Sequence, residues 1–90
     1  MDQTSFEAEL HAAGYTDIVA RDMEAGRFNA EHTHEFDARG LITGGEFTLT
    51  CAGEPRVLHA GDVFEMAAGT PHTELCGAGG ASYVVGRRYK

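Results

Sequence analysis

The sequence predicts an all-β protein: a small β-barrel or sandwich carrying one short N-terminal helix. Three observations predict it. From Tyr15 onward, short segments rich in β-formers alternate with glycine clusters, the punctuation of evenly spaced short strands. No window beyond that point carries helical periodicity. The chain has 90 residues, and a chain of this size leaves roughly 5,100 Å² exposed after burying roughly 63% of its extended surface, which suffices for one core and excludes a repeat array or two catalytic domains. Residues 1–14 are expected as a helical appendage and residues 15–90 as the barrel domain.

Residues 4–13 read as the helix, because Thr4 and Glu7 have capping-box spacing, Phe6 and Leu10 stand four apart, and Gly14 follows as a C-terminal cap. Its expected role is to cover one end of the core. Strands are predicted at 18–23, 28–34, 39–43, 46–51, 56–59, 63–66, 72–76 and 82–89. The turns between them fall at 24–26, 44–45, 52–55, 60–62, 67–71 and 77–80, each with the glycine or proline that a tight reversal requires. Phe28, Phe36, Phe47, Phe64, Leu49, Val57 and Leu58 have the spacing of core and wall residues.

Hydrophobic residues make up 42% of the chain and charged residues 23%, values of a folded globular protein. The formal net charge is −7, and such a charge repels phosphate backbones, so no nucleic acid partner is expected. The basic cluster Arg87-Arg88-Tyr89-Lys90 reads as a solvated strand end. No apolar run approaches the roughly 20 residues of a membrane span, so no membrane partner is expected. With no charged leader followed by an apolar stretch, the expected location is cytoplasmic. Cys51 and Cys76, far apart and in no CxxC arrangement, are expected as free thiols there. A core this small, with open sheet edges, predicts a homodimer to which residues 18–23 contribute.

Of the five histidines, three are placed suggestively. On a strand, His32 and His34 share one face at about 6.5–7 Å, close enough to converge on one metal ion. His72 opens the strand after the turn Gly69-Thr70-Pro71, and in a closed barrel that strand stands opposite the first pair. Taken alone, an HxH pair reads equally well as two exposed strand histidines. His11 and His59 read as surface or capping residues without a ligand role.

The flanking glycines place these histidines in two registered frames. Gly26 is followed by five residues, His32-Thr33-His34, Glu35-Phe36-Asp37, Ala38, six residues and Gly45. Gly61 is followed by five residues, Ala67, Ala68, Gly69, two residues, His72, three residues and Cys76. Across Gly26 to Cys76 the chain resembles the cupin superfamily, whose two motifs have these spacings. The resemblance implies a cupin-type β-barrel, a double-stranded jelly roll, with His32, His34 and His72 as metal ligands. It departs from the family pattern at three positions: Ala38 stands where the family has its glutamate ligand, Ala67 replaces a proline and Cys76 an asparagine.

If His72 points inward, strand alternation turns Glu74 and Cys76 inward too. Both are therefore candidate pocket residues or a fourth ligand, Glu74 because an unpartnered buried carboxylate is costly. Glu35 and Asp37 are expected at the surface, and Arg39 as a partner for one of the acids. The implied cofactor is one divalent transition metal ion, zinc, iron, nickel, manganese or copper, and the implied partner a small-molecule ligand. The leading reading is a barrel that binds a small polar organic ligand at a three-histidine metal site. The alternatives are a metal-dependent enzyme of dioxygenase or isomerase type and a metal-free structural barrel.

Overall fold

The structure, a computed structural model, describes residues 1–89, so Lys90 of the basic cluster lies outside the described residues. Helix α1 (Gln3–Ala12) precedes six strands: β1 (Asp17–Met23), β2 (Phe28–His32), β3 (Phe36–Cys51), β4 (Glu54–His59), β5 (Val63–Met66) and β6 (His72–Tyr89). The exposed surface of 5005 Å² is close to that expected for a chain of this length.

The N-cap of helix α1 stands two residues before the predicted one, Thr4. Asp2 is the N-cap, its Oδ1 accepting the Ser5 N–H at 2.9 Å, which satisfies a donor that the first turn would otherwise leave unpaired. At the other end Gly14, at φ +85°, turns the chain. Its N–H donates to the His11 carbonyl and that of Tyr15 to the Leu10 carbonyl, the paired bonds of a Schellman motif. Phe6 and Leu10 then pack with Tyr15 and Leu41 into a small second core.

Eight strands were expected and six are seen among the described residues, because two predicted turns are bulges. Residues 44–45 and 77–80 lie inside β3 and β6, which run 16 and 18 residues without a break. Their antiparallel ladder extends from Phe36↔Tyr89 to Cys51↔His72, with register shifts at Ile42/Gly44 and Gly45/Phe47. A bulge bends the strand and sharpens its twist without ending it. Gly45, at φ +75°, has a second reason to be glycine: a Cβ there would lie 2.0 Å from the Gly80 carbonyl oxygen.

Each long strand therefore serves two sheets. The C-terminal half of β6 and the N-terminal half of β3 pair with β1 and β5, giving sheet one; the other halves pair with β2 and β4, giving sheet two. Between the sheets lies the main core, which includes Phe47, Phe64, Ile42, Leu49 and Leu58. On the outer side of sheet one, α1 rests on Gly86, where a Cβ would meet the Leu10 methyls at under 3 Å. The helix thus covers a sheet face where the expectation was one end of the core. The outer side of sheet two has no such cover: Phe28 and Val57, expected in the core or wall, are exposed, as is Leu75.

Asp37 also departs from its expected surface position. It is buried on the outer side of β3, where Oδ2 accepts from Arg88 Nη2 at 3.0 Å and Oδ1 from the Ala68 N–H at 2.9 Å. Arg88 in turn donates to the Ala13 carbonyl and lies over the Tyr15 ring, so the basic cluster is partly built into the helix–sheet joint. Arg39 faces the helix acid Glu9 at 4.0 Å and not an acid of the HxH connection.

Candidate metal centre

The site forms at the β2–β6 pair. The register sets His32 opposite His72 and Asn29 opposite Glu74, so His72 belongs to a neighbouring strand of the same sheet, where the expectation was the facing wall. Strand β2 ends at His32, and His34 follows in the connection to β3. It still reaches the site, because its carbonyl accepts the Gly69 N–H at 2.9 Å, tying this connection to the turn that precedes His72. The three ring centroids lie 4.3–5.1 Å apart.

One ligating atom from each of His32, His34, His72 and Glu74 falls within 4.8 Å of the others. Two imidazoles are held in a defined orientation by the backbone. His32 Nδ1 lies 2.7 Å from the Ala30 carbonyl and His72 Nδ1 2.9 Å from the Thr70 carbonyl; a carbonyl accepts only, so in each neutral ring Nδ1 carries the proton and Nε2 a free lone pair. Both Nε2 atoms face Glu74, His72 at 3.5 Å and His32 at 4.0 Å. The Glu74 carboxylate is steadied by Asn29 Nδ2, which donates to Oε1 at 2.7 Å.

His72 is 2% exposed, and its Nε2 has no hydrogen-bond partner among the described residues. The Glu74 carboxylate 3.5 Å away is an acceptor like that lone pair and does not satisfy it, whereas a metal ion satisfies both. His34, stacked on Phe36 at 4.7 Å, has its pKa lowered from 6.5 by burial first, then by His72 and His32, against an opposing pull from Glu74. The shift favours the neutral, ligating form. Three imidazoles and one carboxylate suit a divalent first-row ion, so the residues present fit the metal that the family resemblance implies.

Ala38 is buried and faces the cavity from β3; the carboxylate of this cluster comes instead from β6. Cys76, the other candidate, is not brought to the cluster. It points inward but deeper, buried in the main core with Sγ 3.5 Å from the Met23 carbonyl. Cys51 and Cys76 are both free. His11 and His59 stand apart at the surface, His59 beside Glu46 at 3.5 Å.

A cavity of about 230 Å³ opens beside the cluster. Phe36, Phe64, Met66 and Val85 form its apolar wall, and Arg21, Tyr83 and Arg87 add polar groups absent from the sequence expectations. Burial, followed by the charge of Glu74, raises the Tyr83 pKa above its usual 10.0. The signal for Tyr83 and Arg87 lay in strand parity: they alternate with Val84 and Gly86 on the last strand and share the inner face with Val85. Asn29 had no such signal, since only the β2–β6 register reveals its partner.

The bent two-sheet barrel with histidines converging between its sheets defines a class, and comparison identifies it. The family model described as "Cupin domain" matches residues 21–76, and the chain belongs to that family. No curated protein matches it significantly. Among solved structures it is similar to an RmlC-like cupin from Shewanella frigidimarina, with 25% identity, TM-score 0.69, 81% of this chain and 66% of that one. It is also similar to KdgF from Halomonas sp., with 24% identity, TM-score 0.68 and coverage of 81% and 68%. The DMSP lyase DddQ from Ruegeria pomeroyi shares 26% identity at TM-score 0.73 over 79% of this chain, which spans 36% of that protein.

Proposed function

We propose that His32, His34, His72 and Glu74 hold one divalent transition metal ion, and that the cavity beside them binds a small polar organic molecule. The observation that carries this reading is the buried Nε2 of His72, which makes no hydrogen bond and faces the Glu74 carboxylate beside two further imidazoles. A bound ion would supply Lewis-acid polarisation of a ligand oxygen. The chain's own part is to orient: the Ala30 and Thr70 carbonyls fix two rings, Asn29 fixes the carboxylate, and the apolar wall sheds water from the ligand. In metal titration, His72→Ala and His32→Ala are expected to lose tight Zn²⁺ binding, while His11→Ala and His59→Ala retain it. Equal retention in all four contradicts the reading.

A second reading is a metal-dependent enzyme of dioxygenase or isomerase type on a small organic substrate; that such barrels can carry an activity is supported by the similar DddQ, which is named as a lyase. It is tested by loading the protein with Fe²⁺ and following oxygen uptake and product formation with thiols, diketones, enediols and small sugars. Uptake abolished by His72→Ala supports it; ligand-dependent thermal shifts without any conversion support binding alone.

The proposed assembly is a homodimer. It is supported by β1, whose only strand partner among the described residues is β6, and by the uncovered apolar side chains on the outer face of sheet two. The proposed location is the cytoplasm, where the two free thiols would stay reduced. No helix among the described residues is long and apolar enough to cross a membrane.

A further inference from the structure

The protein carries a net charge of −7, yet the approach to its histidine cluster is lined by cations. Arg21, Asn29, Tyr83 and Arg87 belong to the cavity beside the cluster and also to an adjoining vestibule, where Arg27 joins them. Two acids share this approach with the arginines: Asp22, which accepts from Ser82 Oγ at 2.7 Å, and Glu74, which accepts from Asn29. Arg88 and Arg39 point away from the cavity, Arg88 bonded to Asp37 and Arg39 beside Glu9 of the helix. Arg27 donates to Asn29 Oδ1 at 3.3 Å.

Arg21 and Arg87 differ from these. Among the described residues Arg21 makes no hydrogen bond or ion pair, although its place opposite Tyr83 on β1 aims it at the vestibule. The Arg87 guanidinium lines the cavity and makes no hydrogen bond among the described residues; its Nη1 lies 3.8 Å from Asp17 Oδ2. Its guanidinium lies 4.9 Å from the Phe36 ring centroid, and Phe36 stacks on His34. One aromatic ring therefore separates the guanidinium from the histidine cluster. A guanidinium whose Nη donors make no hydrogen bond offers the planar fork that takes a carboxylate bidentately.

We propose that the cavity's ligand is a small carboxylic acid with a hydroxyl or oxo oxygen, its carboxylate held by Arg87 and Arg21 and its second oxygen directed toward the histidine cluster. The proposal rests on the ligand-binding reading above and adds the chemical class. The volume of about 230 Å³, somewhat below the roughly 300 Å³ at which ordinary small-molecule pockets begin, suits a short acid, and the apolar wall of Phe64, Met66 and Val85 receives its carbon chain.

The test uses metal-loaded protein and the 2-hydroxy and 2-oxo acids of three to six carbons, each paired with its neutral amide and with inorganic phosphate as a control anion. Binding is followed by calorimetry, and metal content is measured on every sample. At least one acid is expected to bind at about 1 mM or tighter, at least tenfold better than its amide and than phosphate. Arg87→Gln and the exposed-site variant Arg21→Gln should each weaken it about tenfold, with Arg56→Gln unchanged as a control and Arg87→Lys intermediate. Arginine-dependent acid binding by protein that fails to retain metal supports this proposal and removes the metal reading. Full metal content with acid binding indifferent to both arginines, amides or phosphate binding as well as the acids, or no acid bound by about 10 mM, overturns it.

Discussion

In the proposed metal centre Glu74 is the carboxylate beside three imidazoles. It faces the free nitrogens of His32 and His72 and is held there by Asn29. Glu74→Gln keeps the shape and an acceptor for Asn29 but removes the carboxylate's charge, so Zn²⁺ affinity in titration should fall about tenfold or more. Glu35→Gln, altering an exposed acid, should leave affinity unchanged, and equal effects would contradict a role for Glu74 in holding the ion. Glu74 was legible in the sequence because it stands two residues from His72 on one strand. Asp37 was not: its burial depends on Arg88, 51 positions away, and local composition carries no trace of so distant a partner.

At the level of elements, β5 was legible to the residue, since Val63, Phe64 and Met66 form a short β-rich segment bounded by the glycine turns at 60–62 and 67–71. The two long strands were not. A glycine pair inside a β-rich stretch has the same composition whether the chain reverses or merely bulges, and only the pairing of β3 with β6 along both halves decides. The crossing at Gly45 and Gly80 is what bends both strands into two sheets. Gly45→Ala, at φ +75° and with its Cβ 2.0 Å from the Gly80 carbonyl oxygen, should cost more than the 1–3 kcal/mol or so of left-handed strain alone. Gly53→Ala meets the same strain, at φ +78°, in open space and should cost only that. Urea unfolding compares them, and equal losses would show that the close crossing is no constraint. The His34 position teaches the same lesson: the HxH spacing pointed to the site, but its second ring arrives from beyond the strand end, carried by the Gly69–His34 backbone bond.

For the whole molecule, the layers run from helix to sheet one to sheet two, and the last face is left with exposed Phe28, Val57 and Leu75. Pairing of two chains is the proposed remedy, and light scattering should give about twice 9.6 kDa; a mass of one chain at micromolar concentration contradicts the dimer. The barrel and the histidine trio were legible from two spaced glycine frames and the inward acid from its strand parity with His72, while the place of Arg21 beside the cavity emerged only when β1 and β6 were paired. The claim on which the functional reading depends is that the cluster between the sheets is a metal site. Elemental analysis of protein purified without a polyhistidine tag, dialysed and then supplied with Zn²⁺ or Fe²⁺, tests it most directly. One ion per chain, lost in His72→Ala, is the predicted result; a folded protein that retains less than about a tenth of an ion per chain, or the same amount with and without His72, contradicts it.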